Sequence, residues 1–315
     1  MKIGILGTWH VHAQDYAKLT LQHGELIGFF EREESLAQSF LDSMGVDIPR
    51  FKTRDELLSG NIDAVIVCSA TEDHPGDIIA AARAKKHIFT EKVLALTPED
   101  CKRIADAIHE NGVKFTISFP HKYSATSRAI KGVCDSGELG KINYVRFRNC
   151  HSGSLYDWLP SHFYSRKQCG GGAMIDLGAH GMYLIDWILG MPSAASSTFT
   201  VADDNPKNVD RVEDNAVTVM KYPSGAIAVN ETGFVSGQSP IQFEVYGEHG
   251  YVRAENDSVE KCTNATNGKI VSVALDAPLP LPIVQFLKGN APEGCGIEEA
   301  KRLTQMMALA YATKA

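Results

Sequence analysis

The sequence has no long apolar run. Nowhere does it approach the ~20 consecutive apolar residues that a membrane-spanning helix needs. The apolar start KIGIL (2–6) soon gives way to polar residues, unlike a secretion signal. There is no basic excess: 31 Lys and Arg stand against 38 Asp and Glu, a formal net charge of −7. A nucleic-acid or anionic-membrane partner needs a basic face, so that balance argues against both. Cysteine occurs seven times, but the residues are scattered, odd in number and never spaced C-x-x-C. This argues for free thiols in a reducing compartment, against a disulfide framework or a zinc site. Repeats and low-complexity tracts are missing too. The expectation is a soluble, cytoplasmic protein with free thiols and no metal.

What is present is enough chain, 315 residues, for about two domains with cores of their own. The first ~120 residues alternate short apolar runs with helical periodicity. Strands are expected at 2–6, 25–31, 62–69, 87–92 and 113–119, with helices over 11–22, 33–44, 74–86 and 97–111. The run IDAVIVCS (62–69) is almost continuously apolar, as in a strand buried on both faces of a parallel sheet. Thr97 followed by Pro98, with Gly112 closing, marks both ends of one helix. A β-α-β-α order implies a doubly wound parallel sheet with right-handed crossovers. Beyond Pro120 the pattern changes. A helix at 125–134 and a strand at 142–150 lead to an apolar helix ending at Gly190. Strand runs follow at 216–222, 225–234, 241–247 and 270–275, with a final helix over 297–314. Consecutive strands joined by short turns indicate an open, mostly antiparallel sheet. APLPLP (277–282) reads as a spacer. The fold class is therefore α/β, with a doubly wound domain over 1–120 and an α+β domain over 121–315.

The loop after the first strand poses the functional question. A dinucleotide fingerprint, G-x-G-x-x-G, uses its glycines for a tight turn, close approach of backbone to the pyrophosphate, and close strand–helix packing. Starting from Gly7, the other two positions hold Trp9 and His12. The context remains right, because the loop still joins a strand to a helix N-terminus that favours phosphate. Glu31 lies 31 − 7 = 24 residues beyond Gly7, near the place where an acidic residue takes the ribose hydroxyls of NAD. A carboxylate there disfavours the extra phosphate of NADP, whereas Arg32 attracts it, so NAD is favoured and NADP stays open.

Two further motifs carry chemistry. Glu91 and Lys92 end a strand, and ligands of open parallel sheets lie outside the carboxyl ends of the strands. A lysine there can stabilise developing negative charge on a substrate oxygen; taken alone, such a pair is usually a surface ion pair. In GGGAMIDLGAH (170–180), Asp176 and His180 are four apart, on one helical face. His180 can move a proton while Asp176 orients it or holds a hydroxyl; the plainer alternative is a buried Asp–His pair capping a helix. The aromatic and polar segment 151–168 suits a loop over a sugar site, with Trp158, His162 and Tyr164 as lining side chains alongside His10 and His12.

Together KIGILG, Glu31, DAVIVCSATEDH (63–74), the Glu91-Lys92 pair, SGELGKI (136–142), GGGAMIDLGAH and FEVYGEHG (243–250) resemble the glucose–fructose oxidoreductase/inositol dehydrogenase (Gfo/Idh/MocA) family over nearly the whole chain. The resemblance implies a Rossmann domain and a second domain whose open sheet makes dimer or tetramer contacts. It implies NAD(P)-dependent oxidation or reduction of a sugar, inositol or related polyol. Lys92 matches the lysine of the family's Glu-Lys-Pro motif, and Asp176 and His180 match its D-x-G-x-H motif; these three are the implied catalytic residues. The implied cofactor contacts are Gly7, Thr8, Trp9, His10, Val11, His12, Glu31, Arg32, Ser69, Ala70, Thr71, His74, Glu91, Lys92 and Lys122. Tyr123, Trp158, His162 and Tyr183 are the implied substrate contacts. Val93 replaces the motif's proline, Thr71 an asparagine before His74, and Tyr183 a further aspartate. The expected mechanism has His180 taking a hydroxyl proton as the carbinol carbon gives hydride to the nicotinamide, with Lys92 stabilising the alkoxide. Two other readings remain open: a catalytically silent NAD(P)-binding or regulatory protein, and NAD-assisted glycoside hydrolysis.

Overall fold

The structure is a computed structural model and describes residues 1–312. Two compact units divide the chain: Met1–Ser118 with Pro280–Thr304, and Phe119–Leu279 with the segment from Gln305 onward.

The first unit runs β1 (Lys2–Leu6), α1 (Ala13–His23), β2 (Glu25–Phe30), α2 (Glu34–Met44), α3 (Arg54–Ser59), β3 (Ala64–Val67), α4 (His74–Arg83), β4 (His87–Thr90), α5 (Pro98–Asn111) and β5 (Phe115–Ile117). Its five strands are all parallel, in the order β2-β1-β3-β4-β5. All four residues of β3 are buried, as the continuous apolar run requires. Thr97 caps α5 by accepting the Asp100 N–H, and Gly112 closes it in a left-handed conformation. The chain leaves β1 for β2 on one side and returns to β3 on the other. In open sheets that reversal opens a crevice outside the carboxyl ends of the two strands. The loops after β1, β3 and β4 all emerge at those ends.

The second unit begins with a 3₁₀ turn at Pro120–Tyr123 and continues with α6 (Ala125–Asp135) and β6 (Ile142–Cys150). A second 3₁₀ turn, Ser161–Tyr164, leads into α7 (Arg166–Cys169), α8 (Ala173–Asp176) and α9 (Gly178–Leu189). The strands β7 (Ala194–Thr200), β8 (Asn215–Lys221), β9 (Ile227–Gly233), β10 (Gln242–Gly247), β11 (Gly250–Glu255), β12 (Ser258–Thr263) and β13 (Val271–Ser272) complete it. The sheet order is β13-β12-β11-β10-β6-β9-β8-β7, and β6–β9 is its parallel pair. Burial alternates strictly along β8, so one sheet face is packed and the other is open in this chain. α9 lies on the packed face against β6 and β9, where Asn230 donates its side-chain amide to the Gly178 carbonyl.

α10 (Pro282–Leu287) and α11 (Ile297–Ala312) end the described chain. The spacer expected over 277–282 stops where Pro282 starts α10, whose Ile283, Phe286 and Leu287 join the core around Tyr16 and Phe89. The last helix is described as far as Ala312; the remainder of its expected span lies outside the described residues. The single apolar helix expected through Asp176 and His180 is broken at Leu177, and His180 N–H bonds to the Leu177 carbonyl. No helix among the described residues is long and apolar enough to cross a membrane.

Candidate active site

The cofactor end is built from the loops after β1, β2 and β3. Gly7 has φ +78°, and a Cβ there would meet the Ser69 Cα at 2.4 Å. Only glycine fits, so the β1 and β3 loops touch backbone to backbone at the head of the crevice. Glu31 anchors the same turn. Its Oε2 accepts the Thr8 N–H at 2.6 Å and the Thr8 hydroxyl at 3.1 Å, and its Oε1 accepts the Glu33 N–H at 3.0 Å. Each carboxylate oxygen has two acceptor directions, so these bonds leave capacity for ribose hydroxyls. Arg32 reaches Asp73 at 2.8 Å.

Trp9 and His10 are buried, whereas Val11 and His12 open to solvent just before α1. Ser69, Ala70 and Thr71 follow β3 and are buried. His74 Nε2 lies 3.1 Å from the Ser69 carbonyl and Nδ1 3.1 Å from the Val93 carbonyl, tying the β3 loop to the β4 loop. Burial holds its pKa below the usual histidine range. A glycine turn with no room for a Cβ, a ribose-type carboxylate and the start of an eleven-residue helix fit a dinucleotide.

Glu91 is the hub of the β4 end. It is 1% exposed, and it accepts from His12 Nδ1 (3.0 Å), from the Tyr16 phenol and from the Lys92 N–H (3.0 Å). The Tyr16 hydroxyl is also 2.8 Å from the Ser118 hydroxyl. Burial alone would raise the Glu91 pKa; His10, His12 and Lys92 outweigh it and hold the carboxyl well below the usual range. Burial and Glu91 together keep the Tyr16 phenol protonated. One ligating atom from each of His10, His12 and Glu91 lies within 4.8 Å of the others. The Lys92–Val93 peptide is cis, where the family motif has proline.

In the second unit two of the three consecutive glycines, Gly171 and Gly172, sit against distant chain. A Cβ on Gly172 would meet the Glu213 carbonyl oxygen at 2.0 Å, and one on Gly171 would meet the Tyr311 hydroxyl at 2.0 Å. Glu213, buried, accepts the Gly172 N–H (2.9 Å), the Met174 N–H (3.2 Å) and the Tyr311 hydroxyl. Tyr311 in turn accepts the Ile175 N–H at 3.1 Å. Carboxylate and phenol thus hold the start of α8 and, with it, Asp176.

His180 lies one turn further on, 7% exposed, with Nδ1 2.9 Å from the Tyr183 hydroxyl. That hydroxyl also accepts the His121 N–H at 3.2 Å, and the His121 ring stands edge-on to His180 at 4.6 Å. Tyr183 itself is stacked on Phe119 and 1% exposed, which makes it a holder of His180. Lys122 places its ammonium over the Phe119 and Trp187 rings, 5.3 and 5.8 Å from their centroids. Tyr123 is buried and Trp158 half exposed against His151; His162 lies beside Phe163.

Residues 1–119 match the oxidoreductase family with an NAD-binding Rossmann fold, and residues 127–253 match the GFO/IDH/MocA C-terminal domain. The chain belongs to the Gfo/Idh/MocA oxidoreductase family. It is 27% identical to the myo-inositol 2-dehydrogenase of Thermotoga maritima, over 81% of this chain and 75% of that protein. It is 25% identical to the D-glucoside 3-dehydrogenase of Escherichia coli, over 74% and 70% of the two chains. Among solved structures, the WlbA dehydrogenase of Bordetella pertussis, in complex with NADH and UDP-GlcNAcA, superposes with a TM-score of 0.78 at 20% identity, covering 99% and 95%. The Rossmann domain of this Gfo/Idh/MocA member is thus an NAD-binding fold.

Four residues that the sequence does not single out shape these sites: Tyr16, His121, Glu213 and Tyr311. His121 was within reach, because it is the sequence neighbour of Lys122, which the sequence does single out. Glu213 and Tyr311 carry no local motif, and only the folded chain brings them to the glycines.

Proposed function

We propose that this protein is an NAD-dependent dehydrogenase or reductase acting on a hydroxyl or keto carbon of a sugar, inositol or related polyol. The observation that carries the reading is the clamp on His180. The Tyr183 oxygen accepts the His121 N–H and can accept the His180 Nδ1 proton as well; that tautomer leaves the basic lone pair on Nε2. The relatives' names, inositol and glucoside dehydrogenases, supply the substrate class.

The Gly7–His12 loop, Glu31, Arg32, the Ser69–Thr71 loop, His74, Glu91 and Lys122 are assigned to holding the cofactor in the 1–120 domain and at its border. NAD, when bound, supplies the hydride acceptor. His180 takes the hydroxyl proton at Nε2, Lys92 stabilises the negative charge on the oxygen left behind, and Asp176 orients the substrate. Trp158, His162 and Tyr123 are assigned to substrate contacts in the 121–315 domain, and Tyr183 is assigned to it through His180. The open face of the second sheet, with Val217, Val219 and Ile227 exposed, is assigned to a second copy of the chain.

A panel of sugars, inositols and their keto forms, assayed with NAD and NADP by reduced-nicotinamide absorbance, tests the reading. Turnover of at least one polyol is expected. His180→Ala should lower kcat by about 10²–10⁴-fold, the usual worth of a general base, and Lys92→Ala by about 10²–10³-fold. Wild-type turnover by both variants would remove the assignment.

A further inference from the structure

We propose that His10, His12 and Glu91 form a binding site for one divalent transition-metal ion of the zinc, cobalt(II) or nickel(II) class. Two of the ligands come from the short loop after β1 and the third from the residue that follows β4, all within the first unit. One ligating atom of each already lies within 4.8 Å of the other two, and His12 Nδ1 is 3.0 Å from Glu91 Oε1. Imidazole and carboxylate donors bind such an ion at about 2.0–2.2 Å, which places ligand atoms roughly 3–4 Å apart. Closing the triangle therefore takes small side-chain rotations in a loop whose His12 is 41% exposed.

The ligand chemistry selects the metal. Two imidazole nitrogens and one carboxylate oxygen suit zinc, cobalt and nickel, whereas magnesium and calcium take oxygen donors. The outer shell that a metal carboxylate needs is present as well. Tyr16 donates to Glu91 Oε1, and the Lys92 N–H donates to Oε2. Tyr16 is itself backed by Ser118. The ion would replace the proton shared by His12 and Glu91 and the 3.3 Å contact from His12 N–H to His10 Nδ1. Three protein ligands leave an open coordination position on the exposed His12 side, which takes water or an oxygen donor.

The three ligands are also among the residues assigned to the cofactor, so the site is tested in protein without nicotinamide or polyol, where its readout does not depend on hydride transfer. The full-length protein is stripped with a chelator and titrated with Co²⁺, followed by its visible d–d absorption and by metal content after gel filtration. Zn²⁺ competition confirms the site. One ion per chain is expected. His12→Ala and Glu91→Gln should each weaken Co²⁺ binding by at least ~10-fold, the cost of losing even an outer-shell partner. Tyr16→Phe should weaken it by about tenfold for that reason, and the control His23→Ala should leave it unchanged. Far-ultraviolet circular dichroism verifies that each variant is folded, and half-exposed His12 is the substitution that least disturbs packing. Wild-type protein that takes up no Co²⁺ overturns the proposal, as does wild-type affinity in either His12→Ala or Glu91→Gln. Failure here would leave the dehydrogenase reading standing, and an inactive dehydrogenase that binds cobalt would leave this one standing.

Discussion

At the scale of single residues, the chemistry rests on side chains whose partners fix their state. Tyr183→Phe removes the oxygen that holds His180 Nδ1 and the His121 N–H. It should lower kcat by roughly tenfold or more with little change in NAD affinity, by analogy with the loss of an outer-shell partner; unchanged kcat would show that the clamp does not matter. Gly7→Ala forces a side chain into φ +78° and onto Ser69. It should cost about 2–4 kcal/mol from left-handed strain and overpacking together, measured by urea denaturation. His74 gives a pH dependence. Its folded pKa lies below the unfolded value of about 6.5, so the unfolded chain binds the proton first on acidification. The contribution is intact above the unfolded pKa and is lost as pH falls from there through the lower folded pKa. Thermal melts of wild type and His74→Gln should diverge least in that acidic window and most above it. Lys92, Asp176 and His180 are the catalytic candidates legible in the sequence, because each sits in a short contiguous motif. Tyr183's role was not, because a tyrosine in an aspartate position gives no sign that its hydroxyl turns inward to a histidine.

At the scale of elements, the parallel strands were the plainest, since double-sided burial leaves a continuous apolar signature such as AVIV in β3. The β11–β12 hairpin was not resolved because Arg253, Glu255, Glu260 and Lys261 interrupt its apolar signal with charges. α10 was hidden by its prolines: Pro282 reads as a spacer, although a proline at the start of a helix is well tolerated. The helix through Asp176 and His180 has the right spacing, yet its anchorage on Glu213 comes from distant chain. Glu213→Leu would strand two backbone N–H donors and the Tyr311 hydroxyl. At about 1–3 kcal/mol for each buried unsatisfied group, a loss of roughly 3 kcal/mol or more is expected in urea unfolding. In protein that still folds, kcat should fall while NAD affinity is unchanged, because the damage lies in the second unit; a parallel loss of NAD binding would contradict that division of labour.

At the scale of the whole molecule, the two-part organisation was visible as a switch from alternating helices and strands to consecutive strands near Pro120. The return of residues 280–304 to the first unit was not, because nothing local marks it. The open sheet face predicts an assembly. Light scattering after gel filtration should give at least twice the chain mass, and Val219→Lys with Ile227→Lys should reduce it to the monomer; a wild-type monomer would remove the second copy from that face. The central claim is hydride transfer from a polyol carbon, and one measurement addresses it most directly. A polyol that turns over is supplied with deuterium at the oxidised carbon, and the nicotinamide is recovered for mass spectrometry. The account predicts stoichiometric reduced nicotinamide carrying the deuterium, formed about 10²–10⁴-fold more slowly by His180→Ala. Deuterium released to water, or product formed without net reduced nicotinamide, would contradict it.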